Sequence, residues 1–199
     1  MPGAEQVELV RRTAFALLVR DGRPVAVDTL ATATGAPDPA GTAEAVEELA
    51  ASGLLDRDPS GFVVGAGGLT LAPAPHGMLL RGRDYRTWCA YDAIGIAAAL
   101  GEPAAISTRC GVCGRAIALP LPGGATADRP ERLWLATGGP RMREDFCAPT
   151  VLLCSSEHAE TWSERQEGRG RIIDLGAASR LGAGAWSGYA REVARVSAT

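Results

Sequence analysis

Residues 85–119, YRTWCAYDAIGIAAALGEPAAISTRCGVCGRAIAL, hold three of the five cysteines in the 199-residue chain. Asp92 follows Cys89 by three positions. On a helix, positions i and i+3 share a face. The spacing therefore predicts a thiol and a carboxyl group pointing into one space. An acid beside a thiol can accept the thiol proton and later deliver it to a developing anion. A further thiol, Cys147, stands in DFCAPTVLL, just before an apolar run.

Taken singly, Cys89 reads as a small buried hydrophobe and Asp92 as a carboxylate bonded to nearby backbone. Cys147 changes that weighting. Thiolates are soft ligands and prefer soft metals. Two thiolates with one acid would bind a soft organometal cation, weaken its carbon–metal bond and protonate the leaving carbon. Cys89, Asp92 and Cys147 are therefore read as one site.

Cys110-Gly-Val-Cys113-Gly is a competing signal. A Cys-x-x-Cys-Gly turn is half of many structural zinc sites. Two more ligands are required. Cys147 and Cys154 are available, but their spacing across an apolar strand is unlike a second such turn. A zinc site at Cys110 and Cys113, a redox pair, and a packed turn with reduced thiols all stay open. The two histidines, His76 and His158, lie in a Pro-rich stretch and at an acidic helix start. Neither suggests the general base of a hydrolase triad.

The elements that must position these groups follow from pattern. Residues 5–20 read as a helix, a short helix follows around 28–34, and a third covers roughly 39–52 with Asp38 as N-cap and Pro39 in its first turn. Its apolar stripe is Ala43, Val46, Leu49 and Ala50. A hairpin turning at Asp58–Gly61 comes next, then a strand around Leu69 and Leu71. This is the winged-helix pattern, expected over residues 1–75. The third helix exposes Glu44, Glu47 and Glu48 and carries no arginine, which argues against nucleic acid as a partner. Pro73 and Pro75 break the strand around Leu69 and Leu71 and make a linker, with the domain boundary placed near residues 72–80. Residues 84–100 read as a central buried helix with Asp84 as N-cap. Strands are expected at 104–108, after the Cys-x-x-Cys turn, at 133–135, at 151–154 and at 171–175. A helix is expected to start at Ser156, and another to run from Ala177 to Val196. The fold class is α+β, with small antiparallel sheets in the second domain, residues 76–199.

A cytoplasmic protein is expected. No apolar run is long enough for a membrane span, and the start, MPGAEQVELVRR, lacks a signal-peptide pattern. Five cysteines in a reducing compartment are not a disulfide framework. Net charge is −3, with arginine as the only basic residue type, so the balance is not that of a nucleic-acid binder.

The segments that carry the chemistry resemble the organomercurial (alkylmercury) lyases. YRTWCAYD at 85–92 is similar to that family's Trp-Cys-Ala-x-Asp segment, and DFCAPTVLL to its Phe-Cys segment. GLTLAPAPHGM, Ser107–Cys110, AETW at 159–162 and LGAASRLG at 175–182 fit in order and spacing. The resemblance implies a winged-helix-like first domain before the lyase core. It implies that Cys89 and Cys147 bind mercury and that Asp92 takes thiol protons and protonates the organic group. The products would be a hydrocarbon and Hg(II), kept on the thiols until passed to cellular thiols or a mercuric reductase. No organic cofactor is implied. Two departures stand out: Ala148–Leu153 lacks the His and aromatic residues of the better-known members, and Cys113 is extra. Other readings are a relative acting on another thiophilic substrate, a cysteine-based metal-sensing winged-helix regulator, and a structural zinc protein.

Overall fold

The computed structural model describes residues 2–35, 39–124 and 129–198. The chain divides into two compact units. One comprises the residues up to Pro73 together with those from Gly188 on; the other is Ala74–Ser187. The sequence reading set the boundary at 75/76 and kept residues 188–199 in the second domain; here they join the first.

In the first unit, α1 (Ala4–Asp21), α2 (Val27–Thr34) and α3 (Pro39–Ala51) precede β1 (Leu55–Arg57), β2 (Val63–Ala66) and β3 (Leu69–Thr70). Gly22 and Gly35 end the first two helices in the left-handed region, where glycine carries no Cβ penalty. The expected N-cap Asp38 lies outside the described residues. The buried stripe of α3 is Thr42, Ala45, Val46 and Leu49. It runs beside the expected one, because Ala43 faces solvent. Glu44, Glu47 and Glu48 are exposed, as read from sequence. β1 and β2 pair antiparallel, and β2 pairs with β3. The last helix, α7 (Ser187–Ser197), belongs here from Gly188 on. Tyr189 packs edge-on against Phe15, with ring centroids 5.1 Å apart. Glu192 accepts a 2.6 Å hydrogen bond from the buried Thr13 hydroxyl.

In the second unit, β4 (His76–Leu80) and β5 (Arg83–Thr87) form a hairpin. This corrects two expectations: residues 76–80 are strand rather than linker, and residues 84–87 are strand rather than the start of the central helix. The cause is local. Arg81 and Gly82 both have positive φ, 53° and 72°, and a two-residue loop with both φ positive is the tight hairpin turn. Beyond it, Tyr85 and Thr87 point inward while Asp84 and Arg86 point out. That period of two belongs to a strand. The central helix, α4 (Ala90–Leu100), begins six residues after Asp84, so Asp84 does not cap it. The sheet continues through β6 (Ala104–Arg109), paired with β4, to β7 (Ala116–Leu121).

A second antiparallel sheet has the order β10 (Gly170–Asp174), β8 (Arg132–Ala136), β9 (Val151–Leu153). A π-helical turn, Met142–Cys147, leads into β9. Helix α5 (Ser156–Arg165) has Ser155, not Ser156, as its N-cap; the Ser155 hydroxyl accepts from the His158 N–H at 3.2 Å. The expected helix from Ala177 to Val196 is two helices, α6 (Leu175–Ala185) and α7, broken at Trp186. Trp186 leaves the helix to stack edge-on against Tyr91 of α4, at 5.3 Å. The structure is thus a mixed α and β fold with small antiparallel sheets. Among the described residues no helix is long and apolar enough to cross a membrane.

Helix α4 is apolar nearly all round, and Ala90–Ala97 are buried without a break. It crosses α6 where Gly95 meets Gly182. A Cβ on Gly95 would meet the Trp186 ring at 2.5 Å, and one on Gly182 would strike the Gly95 Cα. Interiors this dense tolerate little added volume. Gly182→Ala is therefore expected to lower unfolding stability by ~1–3 kcal/mol. Gly184→Ala, two residues on in open space, should be neutral or stabilising by up to ~1 kcal/mol. Denaturant titration of the two variants checks the contrast; equal effects would remove the crossing as the constraint.

Candidate active site

Cys89 is the N-cap of α4, with extended backbone angles, φ −142° and ψ 171°. Asp92 is the third residue of the first turn. The Cys89 N–H donates to Asp92 Oδ2 at 2.8 Å, and the Cys89 sulfur accepts from the Asp92 N–H. This is a capping box with cysteine in the place usually held by serine or threonine. The sequence reading put both groups on one helical face; they meet instead across the helix start. Thr87, at the end of β5, holds the turn by donating its hydroxyl to the Cys89 carbonyl at 2.9 Å.

Cys147 comes from the π-helical turn. The turn is tied to α4 through the Ala90 N–H, which donates to the Thr150 carbonyl at 3.4 Å. Thr150 is itself buried and accepts from the Ala136 N–H of β8. The ring of Phe146 packs edge-on against Tyr91 at 6.2 Å. The sulfurs of Cys89 and Cys147 and a carboxylate oxygen of Asp92 lie within 4.8 Å of one another, and all three residues are buried. Cys89, Asp92 and Cys147 are thus brought together as the sequence reading required.

Burial sets the proton affinities of Cys89 and Asp92. Desolvation disfavours the charged form of an acid. It raises Asp92 to about 7, against the lowering effects of the Cys89 hydrogen bonds and the Arg143 charge. Cys89 is raised well above its ordinary value by desolvation, by its hydrogen bond with Cys147 and by the nearby Asp92 charge. The Arg143 guanidinium sits over the Trp88 ring, 3.3 Å from its centroid.

An open cleft of about 570 Å³ reaches this trio from one side. Cys147, Trp88, Ala148 and Val151 line it; Cys89 does not. His76, at the start of β4, also lines it. Its Nδ1 lies 2.8 Å from the Thr108 hydroxyl, and desolvation lowers it to about 4, so the ring is neutral. Sequence reasoning missed His76 because the two prolines before it looked like a linker. The alternation Met78, Leu80 inward with Leu79 outward was the available signal.

Comparison with known proteins agrees with this geometry. Residues 69–187 match the family model described as MerB, alkylmercury lyase. An alkylmercury lyase of Streptomyces lividans is 31% identical over 153 residues, covering 74% of this chain and 68% of its own. One from Pseudomonas putida is 32% identical over 164 residues, covering 78% and 75%. The chain belongs to the alkylmercury lyase family. A Bacillus cereus lyase is 28% identical over 185 residues, covering 90% and 82%. Among solved structures, the mercury-bound form of MerB2 superposes with a TM-score of 0.82 at 26% identity, covering 95% of this chain and 93% of that one.

The other three cysteines form a separate group. Cys110, Cys113 and Cys154 converge with His158. Cys147, weighed from sequence as a ligand of this group, is not in it. Cys154 is. His158 was read as part of a polar helix start; the Cys-x-x-x-His spacing from Cys154 was the overlooked signal.

The raised value of Asp92 makes stability pH-dependent. In the unfolded chain its carboxyl titrates near 3.8, and in the folded one at about 7. Between those values the folded state holds a proton that the unfolded state has lost. Stability from this group is therefore full below about 4 and falls as pH rises to about 7, by at most ~1.4 kcal/mol per unit. Asp92→Asn keeps an acceptor for the Cys89 N–H and removes the titration. The stability of wild type relative to Asp92→Asn, from urea melts at several pH values, should drop across that window; a flat difference would contradict the assigned burial effect.

Proposed function

We propose that this chain is an organomercurial lyase that cleaves the carbon–mercury bond by protonolysis, with Cys89, Cys147 and Asp92 as its reacting groups. The observation that carries the reading is the convergence of two buried thiols and a carboxyl of raised proton affinity, one of the thiols lining a cleft. Membership of the alkylmercury lyase family supports it.

Cys147 lines the cleft and Cys89 does not, so the incoming R–Hg⁺ exchanges its carrier thiol for Cys147 first. Mercury then draws in the Cys89 sulfur. A metal-bound thiol loses its proton, and Asp92, bonded to Cys89, is the acceptor. The metal now carries R and two thiolates, and Asp92 is protonated. Thiolate donation weakens the carbon–mercury bond, Asp92 returns the proton to carbon, and R–H leaves. Hg(II) stays on Cys89 and Cys147 with Asp92 again ionised. Protons balance: the thiol proton of Cys89 ends on the hydrocarbon. Asp92 suits both roles, since a group that titrates near the working pH can take and give a proton.

Small thiols would remove Hg(II) for transfer to a mercuric reductase, in a cytoplasmic setting. No organic cofactor enters the reaction. We also read the residues up to Pro73 as winged-helix-like, on the order of three helices followed by antiparallel strands. The exposed carboxylates of α3 favour a scaffold over a DNA-binding role.

The test is incubation with phenylmercury or methylmercury and excess thiol, reading benzene or methane by gas chromatography. Wild type should release hydrocarbon. Asp92→Asn should lose at least ~10²-fold in rate while still holding mercury on the protein. Cys89→Ser should retain the organomercurial on Cys147 without releasing hydrocarbon, whereas Cys147→Ser should fail to capture it. Release by Asp92→Asn at the wild-type rate would sink the mechanism, and no release by wild type would sink the function.

A further inference from the structure

The turn between β6 and β7 is built like a metal-binding half-site. The Cys110 N–H donates to the Arg115 carbonyl at 2.8 Å, and the Gly114 N–H donates to the Cys110 carbonyl at 3.0 Å. Gly114 takes φ 71°, a left-handed conformation that glycine adopts without strain. The Cys110 sulfur accepts backbone N–H bonds from Val112, Cys113 and Cys154. Amides aimed at one sulfur stabilise a thiolate, the form a metal needs. The second half comes from the end of β9 and the start of α5. Cys154 follows β9 directly, Ser155 caps α5, and His158 lies in its first turn. The helix cap orients the ring that faces the sulfurs.

The atoms are spaced for one small ion. His158 Nδ1 lies 3.0 Å from the Cys154 sulfur and 3.6 Å from that of Cys110. The Cys113 and Cys154 sulfurs are 3.7 Å apart. All four donor atoms fall within 4.8 Å of one another. Tetrahedral zinc with Zn–S near 2.3 Å and Zn–N near 2.0 Å puts sulfurs ~3.8 Å apart and sulfur from nitrogen ~3.5 Å. Cys-x-x-Cys followed by Cys-x-x-x-His is also a ligand spacing of structural zinc sites. We propose that Cys110, Cys113, Cys154 and His158 form a closed, tetrahedral Zn(II) site that is structural and distinct from the Cys89–Asp92–Cys147 trio.

Binding would displace the thiol protons to solvent and leave three thiolates, a neutral imidazole and Zn²⁺, a net charge of −1. The Arg115 guanidinium, 3.4 Å from the Cys154 carbonyl, offsets it. The ion would staple the β6–β7 turn to β9 and α5. That junction is already close: the Gly111 N–H donates to the Leu152 carbonyl at 3.1 Å, and a Cβ on Gly111 would meet Val151 at 2.8 Å. β9 is also the strand that Cys147 leads into. A zinc staple would thereby fix the cleft wall that carries the first thiol.

The experiment is metal content of the full chain purified without chelator from zinc-supplemented cells, by plasma mass spectrometry, together with cobalt(II) titration of the metal-free wild type. Wild type should hold about one zinc per chain. Cys113→Ser, at an exposed cysteine, and His158→Ala should each cut occupancy at least several-fold, while Cys89→Ser and Cys147→Ser keep it. Cobalt should give visible bands of tetrahedral geometry with thiolate charge transfer, in the wild type alone and so free of any folding defect in the variants. Zinc absent from the wild type, zinc lost with Cys89 or Cys147, a Cys113–Cys154 disulfide in freshly purified protein, or octahedral cobalt would each overturn the proposal. None of these readouts depends on hydrocarbon release, so failure of the lyase reading and failure of the zinc site are distinguishable.

Discussion

The hydrogen bond from the Cys89 N–H to Asp92 Oδ2 fixes the thiol and the acid as one unit. It also supplies what makes a buried carboxyl tolerable. An ionised acid away from water is costly unless bonded or paired. Here its partners are the Cys89 side chain, the Cys89 amide and, at longer range, Arg143. They offset burial only in part, and the acid settles at about 7. Two paired side chains on the open face of a helix would have kept near-ordinary values. Such an acid would be ionised throughout the neutral range and would have no proton to give. In the proposed reaction, placing the pair at a buried helix start is what lets one carboxyl both accept and donate.

That placement depends on the hairpin before it. β4 and β5 run out and back, and the Arg81–Gly82 turn sets their register. Thr87 ends β5 and ties down the Cys89 carbonyl, so the chain leaves the sheet and enters α4 in two residues. The apolar content of 85–100 was legible, and so was the proximity of Cys89 to Asp92. The start of the helix was not. DYRTW carries a plausible N-cap in Asp84, and a short alternating run is a weak signal beside a long apolar one. Tertiary pairing of β5 with β4 decided the matter. The first unit was easier to read: Gly22, Gly35 and Asp58–Gly61 are punctuation that acts through local backbone energetics and needs no distant partner.

The distant contacts at the site divide by the same logic. Cys147 was joined to Cys89 by the chemistry that two soft thiolates and an acid would share and by the likeness of two segments to a known family, because no local rule brings residues 58 positions apart together. The His76 wall was invisible for a related reason. A histidine after Pro73 and Pro75 looks solvated until β6 supplies Thr108 across the sheet.

Five thiols must also be kept from competing for one soft metal, and β9 does much of that sorting. An extended strand advances ~3.3 Å per residue. The three residues Val151–Leu153, with Thr150 before them, hold Cys147 and Cys154 apart at opposite ends. The two thiols fall in different ligand groups. The end that starts from the π-helical turn meets α4 and its acid; the end that leads into α5 meets the turn from β6 and a histidine. One set is three-membered, two thiols with a carboxyl beside them, which in the proposed reaction leaves a coordination position for an organic group and a proton source next to it. The other is four-membered and closed, with no vacant position and no acid. By the ordinary distinction between open reactive and closed structural metal sites, the two proposals divide along one short strand, chemistry for the first group and architecture for the second.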